Sequence, residues 1–154
     1  DKAEAFEGRM EAFIMDFDGD ILWNEITGCR LQADESADLM SVDTALLAGN
    51  RLLYVRILKD GVTVSDNTFY TRFPKEYEYG CPEISFEVQE CAEGLELTVS
   101  SDRLARGLYL FSDNADDFFE DNYMDLLPGF PRKITVRTGS TAEEFKTTLK
   151  YQTL

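Results

Sequence analysis

Ile84-Ser-Phe-Glu-Val-Gln-Glu-Cys-Ala-Glu-Gly-Leu-Glu-Leu-Thr-Val-Ser100 decides the fold. Ile84, Phe86 and Val88 alternate with Ser85, Glu87 and Gln89, and Leu95, Leu97 and Val99 alternate with Glu96, Thr98 and Ser100. A period of two places every apolar side chain on one face of an extended chain, so both runs predict half-buried strands. Glu93-Gly94 between them predicts a hairpin turn. The same rhythm continues downstream, with strands expected at Leu108 to Phe111, Lys133 to Arg137 and Phe145 to Tyr151. No stretch sustains a helical period over a run long enough for a packed helix.

Upstream, Arg9 to Phe17 and Ile21 to Ile26 flank Asp18-Gly19, a pair suited to a type I′ turn because both central positions need positive φ. The polar stretch from Cys29 to Asp43 has room for one more strand. Ala45 to Gly49 suits a single helical turn, and Leu52 to Leu58, Asp60-Gly61 and Val62 to Phe73 read as strand, turn and strand. The run Pro74-Lys-Glu-Tyr-Glu-Tyr-Gly-Cys-Pro82 then stops extended pairing, because proline lacks the N–H and fixes φ. A boundary placed there predicts two small immunoglobulin-like β-sandwich domains in tandem, residues 1–76 and 77–154, in an all-β chain. Such a sandwich uses about 100 residues, so the first domain is expected to be truncated at its start, without its N-terminal strand.

The chain has 154 residues, with 15 basic, 30 acidic and no histidine, for a formal net charge of -15. Hydrophobic residues make up 44%, enough for packed cores. The acidity repels phosphate backbones and anionic lipid, so nucleic acid and membrane surfaces are excluded as expected partners. Apolar runs fall far short of the ~20 residues of a membrane helix, so no membrane insertion is expected. Without histidine there is no Ser-His or Cys-His pair and no imidazole metal ligand, which leaves carboxylates to carry any catalysis. The chain begins at Asp1, with no basic and apolar leader, and reads as a processed or excised piece.

The carboxylates do not read as a site. Asp113, Asp116, Asp117, Glu120, Asp121 and Asp125 crowd an expected loop, but Ala115 and Phe118 stand where an EF-hand needs its oxygen and glycine. A solvated loop with Asp and Asn side chains closing turns is the expectation, with no metal. No acid is framed by the apolar or glycine-rich context that would raise its pKa for acid/base work, so no catalytic residue is assigned. Trp23 and Tyr109 lie in apolar strands and are expected in cores, whereas Tyr77 and Tyr79 are the expected exposed aromatics. Cys29, Cys81 and Cys91 form no CxxC motif and are expected as free thiols, with a Cys81 to Cys91 bridge as the alternative.

One passage carries a family resemblance. Arg106-Gly-Leu-Tyr-Leu110 followed by Phe119-Glu-Asp-Asn-Tyr-Met-Asp-Leu-Leu-Pro-Gly129 resembles the C-terminal immunoglobulin-like domain of β-mannosidases of glycoside hydrolase family two. Asp16-Phe-Asp-Gly-Asp-Ile-Leu-Trp23 and Asp66-Asn-Thr-Phe-Tyr70 are similar to the hairpin and closing strand of the sandwich preceding it in those enzymes. Glu120, Met124 and Phe130 depart from the family pattern. In that family the catalytic glutamates lie on a (β/α)₈ barrel of ~250 residues, which this chain cannot hold. The resemblance therefore implies a non-catalytic accessory region of a retaining glycosidase, without a cofactor, whose partners are the catalytic and other domains of its parent. A carbohydrate- or surface-binding module is the alternative. The resemblance also implies an extracytoplasmic compartment.

Within the motif, Asp121 and Asn122 are expected to close a turn, Tyr123, Leu126 and Leu127 to pack inward, and Pro128-Gly129 to make a type II turn. Some of Phe118, Phe119 and Phe130 are expected to meet a neighbouring domain, so the segment Phe118, Phe119, Asp121, Asn122, Tyr123, Asp125, Leu126, Leu127, Pro128, Gly129 and Phe130 is the candidate contact region. The family's preceding strand also implies an unpaired sheet edge in the first domain, through which the chain could self-associate.

Overall fold

The computed structural model describes residues 4–154. The chain divides into two compact units, one taking in the chain up to Asp16 and Asp20–Glu78, the other Phe17–Gly19 and Tyr79–Leu154. Strands dominate both, and the architecture is all-β.

The first unit holds one antiparallel sheet of β1 (Phe6–Asp16), β2 (Ile21–Leu31), β3 (Arg51–Lys59) and β4 (Val62–Phe69), in the order β2-β1-β3-β4. Inner strand β1 buries Met10, Ala12, Ile14 and Met15. Beside them Glu11 is 4% exposed, and its carboxylate is held by Arg56 at 2.6 Å and Arg9 at 2.7 Å. Two guanidinium groups offset the cost of taking that charge out of water.

Turn chemistry at the first hairpin differs from the sequence reading, and at the second it agrees. At Asp18-Gly19 only the glycine has positive φ, 98°, so the turn is not type I′. Its closure comes from Asp16, whose amide N–H donates to the Asp20 carbonyl and whose carboxylate accepts the Asp20 N–H. Asp60-Gly61 does have both residues at positive φ, 52° and 82°, which matches the right-handed twist of β3 and β4.

The polar stretch after Cys29 contains only the end of β2 and no further strand. A 3-10 turn at Thr44–Leu47 follows, started by the Asp43 carboxylate accepting the Ala45 N–H and burying Leu47. Strand β4 ends at Phe69 rather than Phe73. The reason is local: the Thr71 and Arg72 N–H groups donate to the Tyr77 hydroxyl, each at 3.1 Å, instead of to a strand.

In the second unit, β5 (Ile84–Cys91), β6 (Gly94–Ser101), β10 (Arg132–Arg137) and β8 (Phe118–Phe119) form one sheet in the order β5-β6-β10-β8. Strands β7 (Ala105–Phe111), β9 (Met124–Leu126) and β11 (Lys150–Gln152) form the other, ordered β11-β7-β9. Leu95, Leu97 and Val99 from the first sheet meet Leu108, Leu110 and Leu126 from the second in one core. Each such side chain contributes about 1.5–3 kcal/mol on burial. The alternation in the opening stretch is thus the inner face of a sandwich.

Three expectations for this unit are corrected. The β5–β6 turn is Ala92-Glu93, with Cys91 paired to Gly94, so Gly94 is already in the ladder. The acidic loop carries the short strands β8 and β9, because Phe119 finds Val136 and Met124 finds Leu108 as partners. The expected strand from Phe145 is instead helix α1 (Ala142–Thr148), followed by β11. A capping box decides this: Thr141 Oγ1 accepts the Glu144 N–H, and Glu144 accepts the Thr141 N–H at 2.9 Å. Phe145, fully buried, anchors that helix against Phe119.

Candidate functional site

The segment from Phe118 to Phe130 repairs the edge of strand β7. Ladder pairs join Ala105 to Leu126 and Leu108 to Met124, with a register shift between them where Gly107 adopts φ 60°. Asp125 fills that interruption by accepting the Gly107 N–H at 2.9 Å. Two residues beyond Met124, Asn122 continues the ladder with its side chain. Its Oδ1 accepts the Leu110 N–H and its Nδ2 donates to the Leu110 carbonyl, both at 2.7 Å. A carboxamide presents the same donor and acceptor as a peptide group, so it stands in for a backbone pair at buried Leu110. Pro128-Gly129 closes the segment as expected, with Gly129 at φ 79° and the Phe130 N–H donating to the Leu127 carbonyl.

Leu126 and Leu127 pack inward, but Tyr123 does not: it is 72% exposed, with φ 57°. Asn122 fixes that conformation, since its Oδ1 also accepts the Tyr123 N–H. The Tyr123 ring stacks on Tyr109 with centroids 4.6 Å apart, and Tyr109 stacks on Phe111 at 5.6 Å. Phe118 is 58% exposed beneath the Arg137 guanidinium, while Phe119 is half-buried against the core and Phe130 half-buried.

The other tyrosines are placed differently from the sequence reading. Tyr77, expected in solvent, is buried at 6% exposure and Tyr79 is half-buried, because both are used to order the connecting segment. Burial pushes the Tyr77 phenol up, but hydrogen bonds from Thr71 and Arg72 outweigh it and leave the group below its ordinary value. Tyr79 takes a 2.8 Å hydrogen bond from Arg106. Trp23 and Tyr109 are half-buried rather than in the cores.

The acidic residues are spent on local structure. Asp117 accepts from Ser112 and Asn114, Asp121 from the Asn122 N–H, Glu120 pairs with Arg137 and Asp113 with Lys150. Among the described residues, no group of three or more acidic, cysteine or histidine side chains converges as a metal site. The first unit has a cleft of about 380 Å³ lined by Phe6, Cys29, Leu31, Leu39, Ile57 and Val64 with acids at its rim, a mainly apolar hollow. Glu35 at that rim accepts the Gln32 N–H at 2.6 Å. The three cysteines are free, Cys29 buried and Cys81 and Cys91 exposed. No helix among the described residues is long and apolar enough to cross a membrane.

Alternating strands, turn-closing carboxylates and a sandwich built across β7 define the class: tandem immunoglobulin-like β-domains. Residues 1–76 match the Mannosidase Ig/CBM-like domain, and residues 81–154 match the Ig-fold domain of the mannosidase type. The chain therefore belongs to the immunoglobulin-like domains of mannosidases. Among solved structures it is similar to the β-D-mannosidase of Dictyoglomus thermophilum, with a TM-score of 0.81 at 22% identity over 97% of this chain and 19% of that one. The exo-chitosanase of Amycolatopsis orientalis is similar with a TM-score of 0.64 at 14% identity, over 98% of this chain and 23% of that one. The likeness is one of fold, and the chain spans about a fifth of the length of these enzymes. No curated protein matches the sequence.

Proposed function

We propose that the chain is the non-catalytic accessory region of a β-mannosidase-like retaining glycosidase, and that it supports a catalytic barrel carried elsewhere in its parent. The observation that carries this reading is the pair of mannosidase-type domains in tandem over nearly the whole chain. The use of the clustered acids as turn and ion-pair partners supports it further. The domains divide at residues 76 and 77 in this reading. Phe118, apolar and held in solvent, is the side chain best suited to meet a neighbouring domain, with half-buried Phe130 further along the same motif. The isolated chain is expected to release no aryl product from an aryl β-mannoside that the parent enzyme cleaves. Phe118→Ser in the parent is expected to lower its melting temperature while leaving the same substitution silent in the isolated chain. Turnover by the chain alone, or a parent indifferent to Phe118→Ser, would sink the proposal.

Self-association rests on a separate observation. Strand β2 pairs only with β1 among the described strands and exposes Ile21, Leu22 and Ile26, each by half or more. A long exposed edge strand can template a second copy. Light scattering is expected to show dimers that Ile26→Lys removes; a strict monomer at high concentration rejects them.

A further inference from the structure

Strand alternation builds the cleft of the first unit. Phe6 on β1, Cys29 and Leu31 on β2 and Ile57 on β3 line it from one face of the sheet, where Phe6 pairs with Leu31, Gly8 with Cys29 and Met10 with Ile57. The neighbouring arginines point the other way, and on the opposite face Arg30 pairs with Glu7 and Arg56 with Glu11. Gly8 makes room for the wall. Ring atoms of Phe6 lie 2.7 and 2.8 Å from where a Cβ on Gly8 would stand, so the ring lies back along its own strand. Leu39 and Val64 complete the apolar lining, and Val64 is 53% exposed.

The rim has the opposite character. Gln32 and Glu35 close a turn there, the Glu35 N–H donating to the Gln32 carbonyl at 3.2 Å and the Glu35 carboxylate accepting the Gln32 N–H. Asp34 lies inside that turn at φ 58°, and Glu4 lines the same cleft. All three acids are exposed. No lysine or arginine stands among the described lining residues, so the charge at this mouth is set locally by carboxylates.

We propose that this cleft binds a small amphipathic cation, an alkyl- or arylamine whose apolar body lies against Phe6, Leu31 and Ile57 and whose ammonium group stays at the rim with Glu4, Asp34 and Glu35. The cleft holds about 380 Å³, within the roughly 300–1,000 Å³ of small-molecule sites, and it has their pattern of apolar walls with a few polar groups at one side. The body gains by leaving water, while the ammonium keeps part of its hydration and faces opposite charge, so no ion is carried into the apolar interior. An anionic head on the same body would meet three like charges instead. The site lies within residues 4–65 and does not depend on what the parent hydrolyses, so it stands or falls separately from the accessory reading.

The test titrates the 154-residue chain with phenylbutylamine, phenylbutanol and phenylbutyrate, which share one apolar body and differ in charge. Methyl NMR is expected to show saturable shifts of Leu31, Leu39, Ile57 and Val64 with the amine, which should bind about threefold more tightly than the alcohol and about tenfold more tightly than the acid. Asp34→Asn removes one rim charge and keeps a residue that tolerates positive φ, so it should weaken the amine about threefold and leave the alcohol unchanged. Glu90→Gln, exposed on β5 and outside the cleft lining, makes the same change in net charge and should alter neither. Val64→Ser, at an exposed position, should weaken amine and alcohol alike by about fivefold. No saturable binding of the amine, equal binding of amine and alcohol, or the same effect from Asp34→Asn and Glu90→Gln overturns the proposal.

Discussion

Replacing Asn122 by alanine tests the idea that a side-chain amide serves as a strand residue. The substitution removes three hydrogen bonds, two of them to the backbone of Leu110, which is 1% exposed. A typical net hydrogen bond contributes about 1 kcal/mol, and a buried group left unpaired costs about 1–3 kcal/mol. The expected loss is therefore about 3 kcal/mol, a large share of the roughly 5–15 kcal/mol that holds a domain together. With a urea dependence near 1.5 kcal/mol per M, the midpoint followed by far-UV circular dichroism should fall by about 2 M. Asn122→Asp separates the ladder role from simple turn preference. Aspartate keeps the acceptor for the Leu110 N–H but sets a carboxylate oxygen against the Leu110 carbonyl, so it should be at least as damaging as alanine. A ladder role is refuted if Asn122→Ala shifts the stability by less than about 0.5 kcal/mol, the range of an ordinary surface change.

Other expectations follow from single features. Phe145→Ala should cost about 3–5 kcal/mol in the same urea experiment, because the ring is fully buried among both sheets. Gly94→Ala should destabilise strongly while Gly139→Ala changes little. At Gly94 φ is 133° and a Cβ would lie 2.4 Å from the Val136 carbonyl oxygen, whereas nothing lies within 4 Å at Gly139. Asp102, Glu143 and Glu144 are held below the ordinary carboxylate range by the Glu83 N–H, by Lys146 and by the Thr141 N–H respectively. A depressed native value favours the folded state above the unfolded pKa of about 4 and loses that contribution as pH falls through the native one. Melting temperature should thus drop on acidification below that range, and Glu144→Gln should flatten the fall. Parallel profiles for the two proteins would contradict this.

Much of the fold could be read from alternation because most strands keep one face in a core. The pattern of Ile84 to Ser100 leaves no other placement for its leucines and valines. Where it failed, local chemistry outweighed periodicity. Phe145 to Tyr151 mixes apolar and polar residues enough to pass for a strand, but Thr141 and Glu144 at a spacing of three form a capping box that starts a helix. That signal was present in the sequence. Tyr77 could not be placed, since its burial depends on the Thr71 and Arg72 amides turning toward its hydroxyl, which no spacing announces. The candidate segment was located through its resemblance to the family motif, within which Asn122, Pro128 and Gly129 marked the turns, whereas the outward Tyr123 depends on a backbone conformation that tyrosine seldom adopts.

The carboxylate between Arg9 and Arg56 also checks how the first sheet is assembled. Glu11 sits directly across from Arg56, so sliding β1 by two residues along β3 would set it against Tyr54 or Leu58 instead. Hydrophobic contacts alone tolerate such a slip, since one aliphatic chain replaces another. The slip would take the buried carboxylate away from Arg56 and leave it Arg9 alone, which travels with it on β1. The Glu11–Arg56 pair thereby works as an alignment key, in which a shifted register forfeits the cross-strand half of the anion's neutralisation.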